Sequence, residues 1–173
     1  MTDRDGPSPM VVVVMGVAGA GKSTLARALA NDMGVRFLEG DDLHPAANVA
    51  KMRRGEPLTD ADRWPWLSAV AAWIDARVGA QESAVVACSA LKLSYRKVLG
   101  QGRPSVRFVH VAGSPVLVAE RMAERQDHYF PASLIASQFE ALEPPEPDER
   151  AVVVDMALPV AAQVAQVVAE LSL

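Results

Sequence analysis

Two short runs carry residue types whose spacing can do chemistry. The first, GVAGAGKS at 16–23, has the form G-x-x-x-x-G-K-[ST]. Phosphate oxygens need many donors at short range. In such a run the glycines let the backbone curl, so that successive N–H groups and a helix N-terminus point at one anion. Gly16, Ala18, Gly19, Ala20 and Gly21 are the expected backbone of that cradle, and Lys22, Ser23 and Thr24 open the helix behind it. Lys22 adds a point charge at the β- and γ-phosphates of a nucleoside triphosphate, and the Ser23 hydroxyl is a ligand for Mg²⁺.

The second run is FLEGDDLHP at 37–45, with Glu39, Asp41 and Asp42 close together and His44 just beyond. It reads three ways: a solvated acidic turn, a metal site, or the seat of a catalytic base. Many nucleotide hydrolases place a magnesium-binding carboxylate after apolar residues on a later strand. AVVVD, ending at Asp155, has the letters but follows every other strand, so it reads as a structural strand end. ACSA at 87–90 holds no acid, which leaves FLEGDD as the richest source of a metal-side carboxylate. Asp41 is assigned the acceptor hydroxyl, which it would align for in-line attack, against a plain turn role. Asp42 stays open between capping the next helix and touching substrate.

These runs need elements to hold them. MVVVVMGV at 10–17 is continuous and β-branched, as expected of a strand buried on both faces of a parallel sheet. Leu25, Leu29 and Met33 then give an apolar stripe at helical spacing before Gly34. Further strands are expected at 35–38, 83–89, 106–113 and 151–156, and helices near 46–54, 60–78, 91–99, 115–125, 131–142 and 159–171. Strands alternating with helices imply right-handed crossovers and a parallel sheet covered on both faces. Residues 1–9 read as a flexible tail and 10–173 as a single domain. EPPEPDE at 143–149 reads as a stiff, solvated loop.

Composition narrows the partners. A net charge of −4 and a pI near 5.4 argue against nucleic acid. The single cysteine, Cys88, excludes an internal disulfide framework and fits a reducing, cytoplasmic compartment, as a small buried residue without thiol chemistry. No apolar run is long enough to suggest a membrane span.

Between the second and third strands the chain mixes His44, Lys51, Arg53, Arg54 and Arg63 with Trp64 and Trp66, which is unusual for a plain crossover. Arg53 and Arg54 read as solvated and Trp73 as core, and TDAD at 59–62 has the form of a helix cap, so Asp62 reads as capping. In CSALKLSYRK, Ser89 ends a strand, and Lys92 and Arg96 lie four apart on one helix face, either as a clamp or as an ordinary basic surface. Arg121 and Arg125 share the end of a later helix.

GVAGAGKS, GDDLHPAANVAKMRRGEPLTDADRWPWL, CSALKLSYRKVL and a late R-x-x-x-R with HYFPASLIASQFEALEPP together resemble, in order and spacing, the gluconate kinases among P-loop sugar-acid kinases. The resemblance runs from about residue 10 to the C-terminus. It implies a three-layer P-loop NTPase fold like that of shikimate and nucleotide kinases: a five-stranded parallel sheet flanked by helices, with an acceptor-binding helical insert about 41–78 and a mobile lid about 122–140. It also implies ATP and Mg²⁺ as cofactors, phosphorylation of the 6-hydroxyl of D-gluconate, and a homodimer. A sugar acid presents one carboxylate and several hydroxyls. His44, Lys51, Arg63, Lys92 and Arg96 are the candidates for its acidic end and Asp41 for its hydroxyl end. By the same resemblance Arg121 stacks on adenine, Arg125 closes onto the phosphates, and His128 and Gln138 belong to the lid and the helix after it. Relatives commonly carry D-x-D where this chain has Glu39 and Asp41; the longer glutamate suits a contact to Mg²⁺ through water. A shikimate- or nucleotide-type kinase and a non-catalytic ATP-binding regulator are the alternatives.

Overall fold

The computed structural model describes residues 6–125 and 131–173. Among them five strands form one sheet, β1 (Val11–Met15), β2 (Arg36–Glu39), β3 (Ala84–Ala87), β4 (Val106–Ala112) and β5 (Val152–Asp155), in the order β2-β3-β1-β4-β5. Every pairing is parallel, with Val13 of β1 opposite Val86 on one side and Phe108 on the other. The helices are α1 (Lys22–Met33), α2 (Ala46–Arg53), α3 (Asp60–Gly79), α4 (Leu93–Gly100), α5 (Pro115–Glu124), α6 (Ala132–Ala141) and α7 (Val160–Leu171), with 3₁₀ turns at Gly40–Leu43 and Pro147–Glu149. No described helix is long and apolar enough to cross a membrane.

Strand β1 is apolar throughout because both its faces are covered. Val12 and Val14 face a layer built on Leu25, Leu29 and Val167, while Val11, Val13 and Met15 face Trp66, Leu67, Val70 and Ile74 of α3 and Leu99 of α4. This is the expected three-layer arrangement of a P-loop kinase. The chain leaves β1 for β2, which lies beyond β3, while β4 pairs on the other side. The carboxyl ends of β1 and β3 therefore border the crevice where such sheets bind ligands.

The start of α4 departs from its expected place, at Leu93 instead of 91. Ser89, Ala90 and Leu91 are held out of the helix by other partners. The Ser89 carbonyl accepts the Gly16 N–H, those of Ala90 and Leu91 accept from the Arg96 guanidinium, and Ala90 takes a positive φ of 42°.

Candidate active site

The phosphate cradle follows directly from β1. Gly21 caps α1 in the left-handed region at φ 95° and offers no capping side chain, so the first N–H groups of α1 are left to an incoming anion. Gly19 is also left-handed, at φ 81°, and a Cβ there would stand 2.6 Å from Met122 Sδ. A side chain at 19 would strain the loop and displace the Met122 side chain of α5. Lys22 Nζ donates to the Val17 carbonyl at 3.0 Å. Desolvation lowers the Lys22 pKa from its ordinary value, opposed by the negative charges of Asp41 and Glu39.

Ser23 and Glu39 meet although they lie on different elements. Ser23 Oγ donates to Glu39 Oε2 at 2.5 Å. Glu39 ends β2, and Gly40 begins the turn that carries Asp41. A Cβ on Gly40 would come 2.4 Å from the Ala87 carbonyl, so glycine is needed here for close packing against β3. Its own carbonyl accepts Trp66 Nε1 at 2.8 Å, which ties the acidic turn to α3. Asp42 is exposed, and the N-cap of α2 is Pro45 with no capping side chain, so the capping role considered for Asp42 is not formed.

Two clefts meet at Asp41, Lys22 and Ala18. One, of about 920 Å³, runs over the loop past Ser23, Thr24, Glu39 and Arg125. The other, of about 550 Å³, is lined by His44, Arg63, Trp66, Ser89 and Gln138. Gln138 Oε1 accepts the Ala18 N–H at 3.0 Å and so joins α6 to the phosphate loop. The cleft also includes Met52, Leu58, Leu134 and Ser137, for which no role was expected. A signal for part of this existed: Leu134, Ser137 and Gln138 fall at i, i+3 and i+4 and so share one face of α6. Leu58 directly precedes the Thr59 cap, and only packing in three dimensions turns it to the cleft.

The expected cations divide sharply. Lys51 is paired with Asp62 at 2.7 Å and does not line the cleft. Asp62 also closes a capping box with Thr59, as its spacing predicts, and the Lys51 and Thr59 hydrogen bonds lower its pKa to about 2. Lys92 pairs with Asp60 at 3.0 Å beside a neighbouring open pocket. Arg96 is only 2% exposed; Glu149 takes its Nε at 2.6 Å and its Nη2 at 3.2 Å, and Nη1 donates to Ala90 and Leu91. The clamp expected from Lys92 and Arg96 is therefore not formed, because each cation is held by a carboxylate of the chain. Arg63 differs. It is 9% exposed, lines the cleft, and donates from Nη1 to the Tyr95 hydroxyl at 3.0 Å, with no carboxylate within ion-pair distance among the described residues. Tyr95 in turn donates to Asp60.

His44 is stacked on Trp66, with ring centroids 4.1 Å apart, and its pKa is lowered chiefly by burial, against the pull of Asp41. Cys88 is 1% exposed; burial pushes its thiol up to about 12, so it is inert as a nucleophile at neutral pH. Asp155 Oδ1 accepts the Ala157 N–H at 2.8 Å at the end of edge strand β5 and lines neither cleft, in line with its structural reading. Arg54 pairs with Glu56 at the surface. Arg121 lies in the last turn of α5 and lines neither cleft, whereas Arg125, its C-cap, reaches the loop cleft. His128 lies outside the described residues.

The AAA domain family matches residues 11–145. A gluconokinase of Gluconobacter oxydans (strain 621H) is 48% identical over 86% of this chain and 85% of its own length. A solved gluconokinase from Sinorhizobium meliloti 1021 superposes with a TM-score of 0.85 at 47% identity, covering 95% of this chain and 92% of that one. An unliganded sugar kinase from Janibacter sp. HTCC2649 gives a TM-score of 0.90 at 46% identity, covering 95% of both chains.

Proposed function

The chain belongs to the gluconokinase family, and from that premise we propose how its site transfers the γ-phosphoryl of ATP to the 6-hydroxyl of D-gluconate. The observation that carries the reading is the junction of the two clefts, where Lys22 of the phosphate loop and Asp41 of the acceptor side line both spaces. Phosphoryl transfer needs the acceptor oxygen in line with the γ-phosphorus and the developing charge neutralised. Asp41 accepts the hydrogen bond of the 6-hydroxyl, aligns it, and takes its proton late. Lys22 and Arg125 supply positive charge to the phosphates, and the backbone of Gly16 and Ala18–Thr24 cradles them. Arg121, outside both clefts, is offered to adenine on resemblance alone.

Arg63 is the cation we assign to the gluconate carboxylate. Its competitors Lys51, Lys92 and Arg96 are held by Asp62, Asp60 and Glu149, and burial favours neutral His44. Ser89 and Gln138 are offered to hydroxyls in the middle of the substrate's carbon chain, and His128, outside the described residues, is offered to substrate on resemblance alone. A cation that binds one or two carboxylates together with phosphate oxygens and waters fits the Ser23–Glu39 pair. These two residues would hold Mg²⁺, Glu39 through water, and the ion would neutralise charge on the β- and γ-phosphates. The dimer is proposed on the family resemblance, and a cytoplasmic setting on the single cysteine.

A coupled ADP-release assay with a panel of acceptors tests the reading. Gluconate at millimolar levels should stimulate turnover, and shikimate and nucleoside monophosphates should not. No response to gluconate would overturn it.

A further inference from the structure

Asn48 fixes the position of a proton on His44, four residues before it and one turn away. It is buried, 5% exposed, and its Nδ2 donates to the Asp62 backbone carbonyl at 2.8 Å. A carbonyl oxygen only accepts, so the amide has one orientation, with its NH₂ toward Asp62. The same Nδ2 lies 3.2 Å from Nδ1 of His44. A ring nitrogen facing an N–H donor must be the acceptor, and the neutral imidazole then carries its proton on Nε2.

The ring is held as firmly as the proton. Trp66 stacks on it at an interplanar angle of 20°, and Trp66 is itself anchored through Nε1 to the Gly40 carbonyl. Nε2 stands 3.7 Å from Asp41 Oδ1, too far for a direct hydrogen bond, and His44 lines the acceptor cleft. Among the described residues no atom accepts from Nε2 at hydrogen-bonding distance. A fixed N–H and a carboxylate oxygen therefore stand side by side at the cleft, one able only to donate and the other to accept. Two oxygens on adjacent carbons of a polyol present the complementary pair.

Building on the gluconokinase reading, we infer that His44 donates from Nε2 to the hydroxyl next to the one phosphorylated, while Asp41 accepts from the latter. Asn48 is the positioning residue that sets the tautomer. The pair thus reads a vicinal diol at the reacting end, as Arg63 reads the acid at the other.

The test compares kcat/KM for D-gluconate with that for its analogue lacking the C5 hydroxyl, in wild type and in variants. The ratio within one protein cancels the fraction that is folded. Wild type should prefer gluconate by about tenfold. In His44→Phe, which keeps a stacking ring without a donor, the preference should fall to about unity. His44→Gln, whose amide Nε2 is a donor of similar reach, should keep most of it. Asn48→Leu, which frees the tautomer, should lower the preference about threefold or more and carries the same prediction if the Phe variant does not fold. An unchanged preference in His44→Phe and Asn48→Leu, or none in wild type, would overturn the inference. Absence of gluconate turnover in wild type would instead remove the gluconokinase reading beneath it.

Discussion

The phosphate cradle and the acceptor cleft share Ala18, Lys22 and Asp41 but are built on opposite plans. The cradle is one contiguous run whose donors are backbone N–H groups, so its shape depends on glycines and on the end of β1. The cleft draws side chains from the acidic turn, α2, α3, the end of β3 and α6. Some of the cradle's backbone donors are taken, Gly16 N–H by the Ser89 carbonyl, Ala18 N–H by Gln138 Oε1 and Ala20 N–H by the Val17 carbonyl. Those in the first turn of α1 are left to an anion by helix geometry itself. For side-chain cations no such geometry applies, and Asp60, Asp62 and Glu149 hold three that the sequence offered to substrate. A site built from side chains is defined as much by which charges the protein neutralises as by which it leaves available.

The largest expected effect lies where the regions meet. Asp41→Asn should lower kcat by up to about 10⁴-fold with ATP binding retained, measured by steady-state kinetics and nucleotide titration. Unchanged turnover would remove Asp41 from the chemistry. Next comes the cation held by the fold. Arg96→Met leaves Glu149 without its partner and should cost about 3 kcal/mol, read as a fall in Tm of about 10 °C. A normal Tm with a raised KM for gluconate would return Arg96 to the substrate.

Arg63→Leu should show the reverse pattern. Loss of a charge-assisted contact raises KM for gluconate about 10- to 100-fold, with a smaller change in kcat. An uncharged polyol acceptor should be indifferent to the substitution; equal losses on both acceptors would make Arg63 structural. The smallest effect belongs to the frame. Thr59→Ala removes one half of the capping box of α3 and should cost about 1 kcal/mol in denaturant unfolding, with gluconate kinetics nearly intact.

The fold was legible because its signals are local. The apolar run of β1, the alternation of strands with helices, the glycine loop and the Thr59–Asp62 cap each follow from short-range sterics or hydrogen bonding, and the strands and helices lie within a few residues of their expected places. Glu39 shows the margin. Its position after β2 was readable, but its contact with the Ser23 hydroxyl depends on how α1 sits against the sheet. Gly40 shows it too, since glycine there follows from the Ala87 carbonyl of a neighbouring strand and a run of letters cannot contain that approach.

By itself, the sequence determined the phosphate loop, the parallel sheet behind it and the set of charged residues available to an acid substrate. The tertiary structure alone decided their allegiance: Arg96 to Glu149, Lys51 to Asp62, Lys92 to Asp60, and Arg63 to the cleft. The reason is physical. Helix and strand patterns are fixed by residues a few positions apart, whereas an ion pair forms between whichever charges the packing of distant segments brings within a few ångströms, as with Arg96 and Glu149, 53 residues apart.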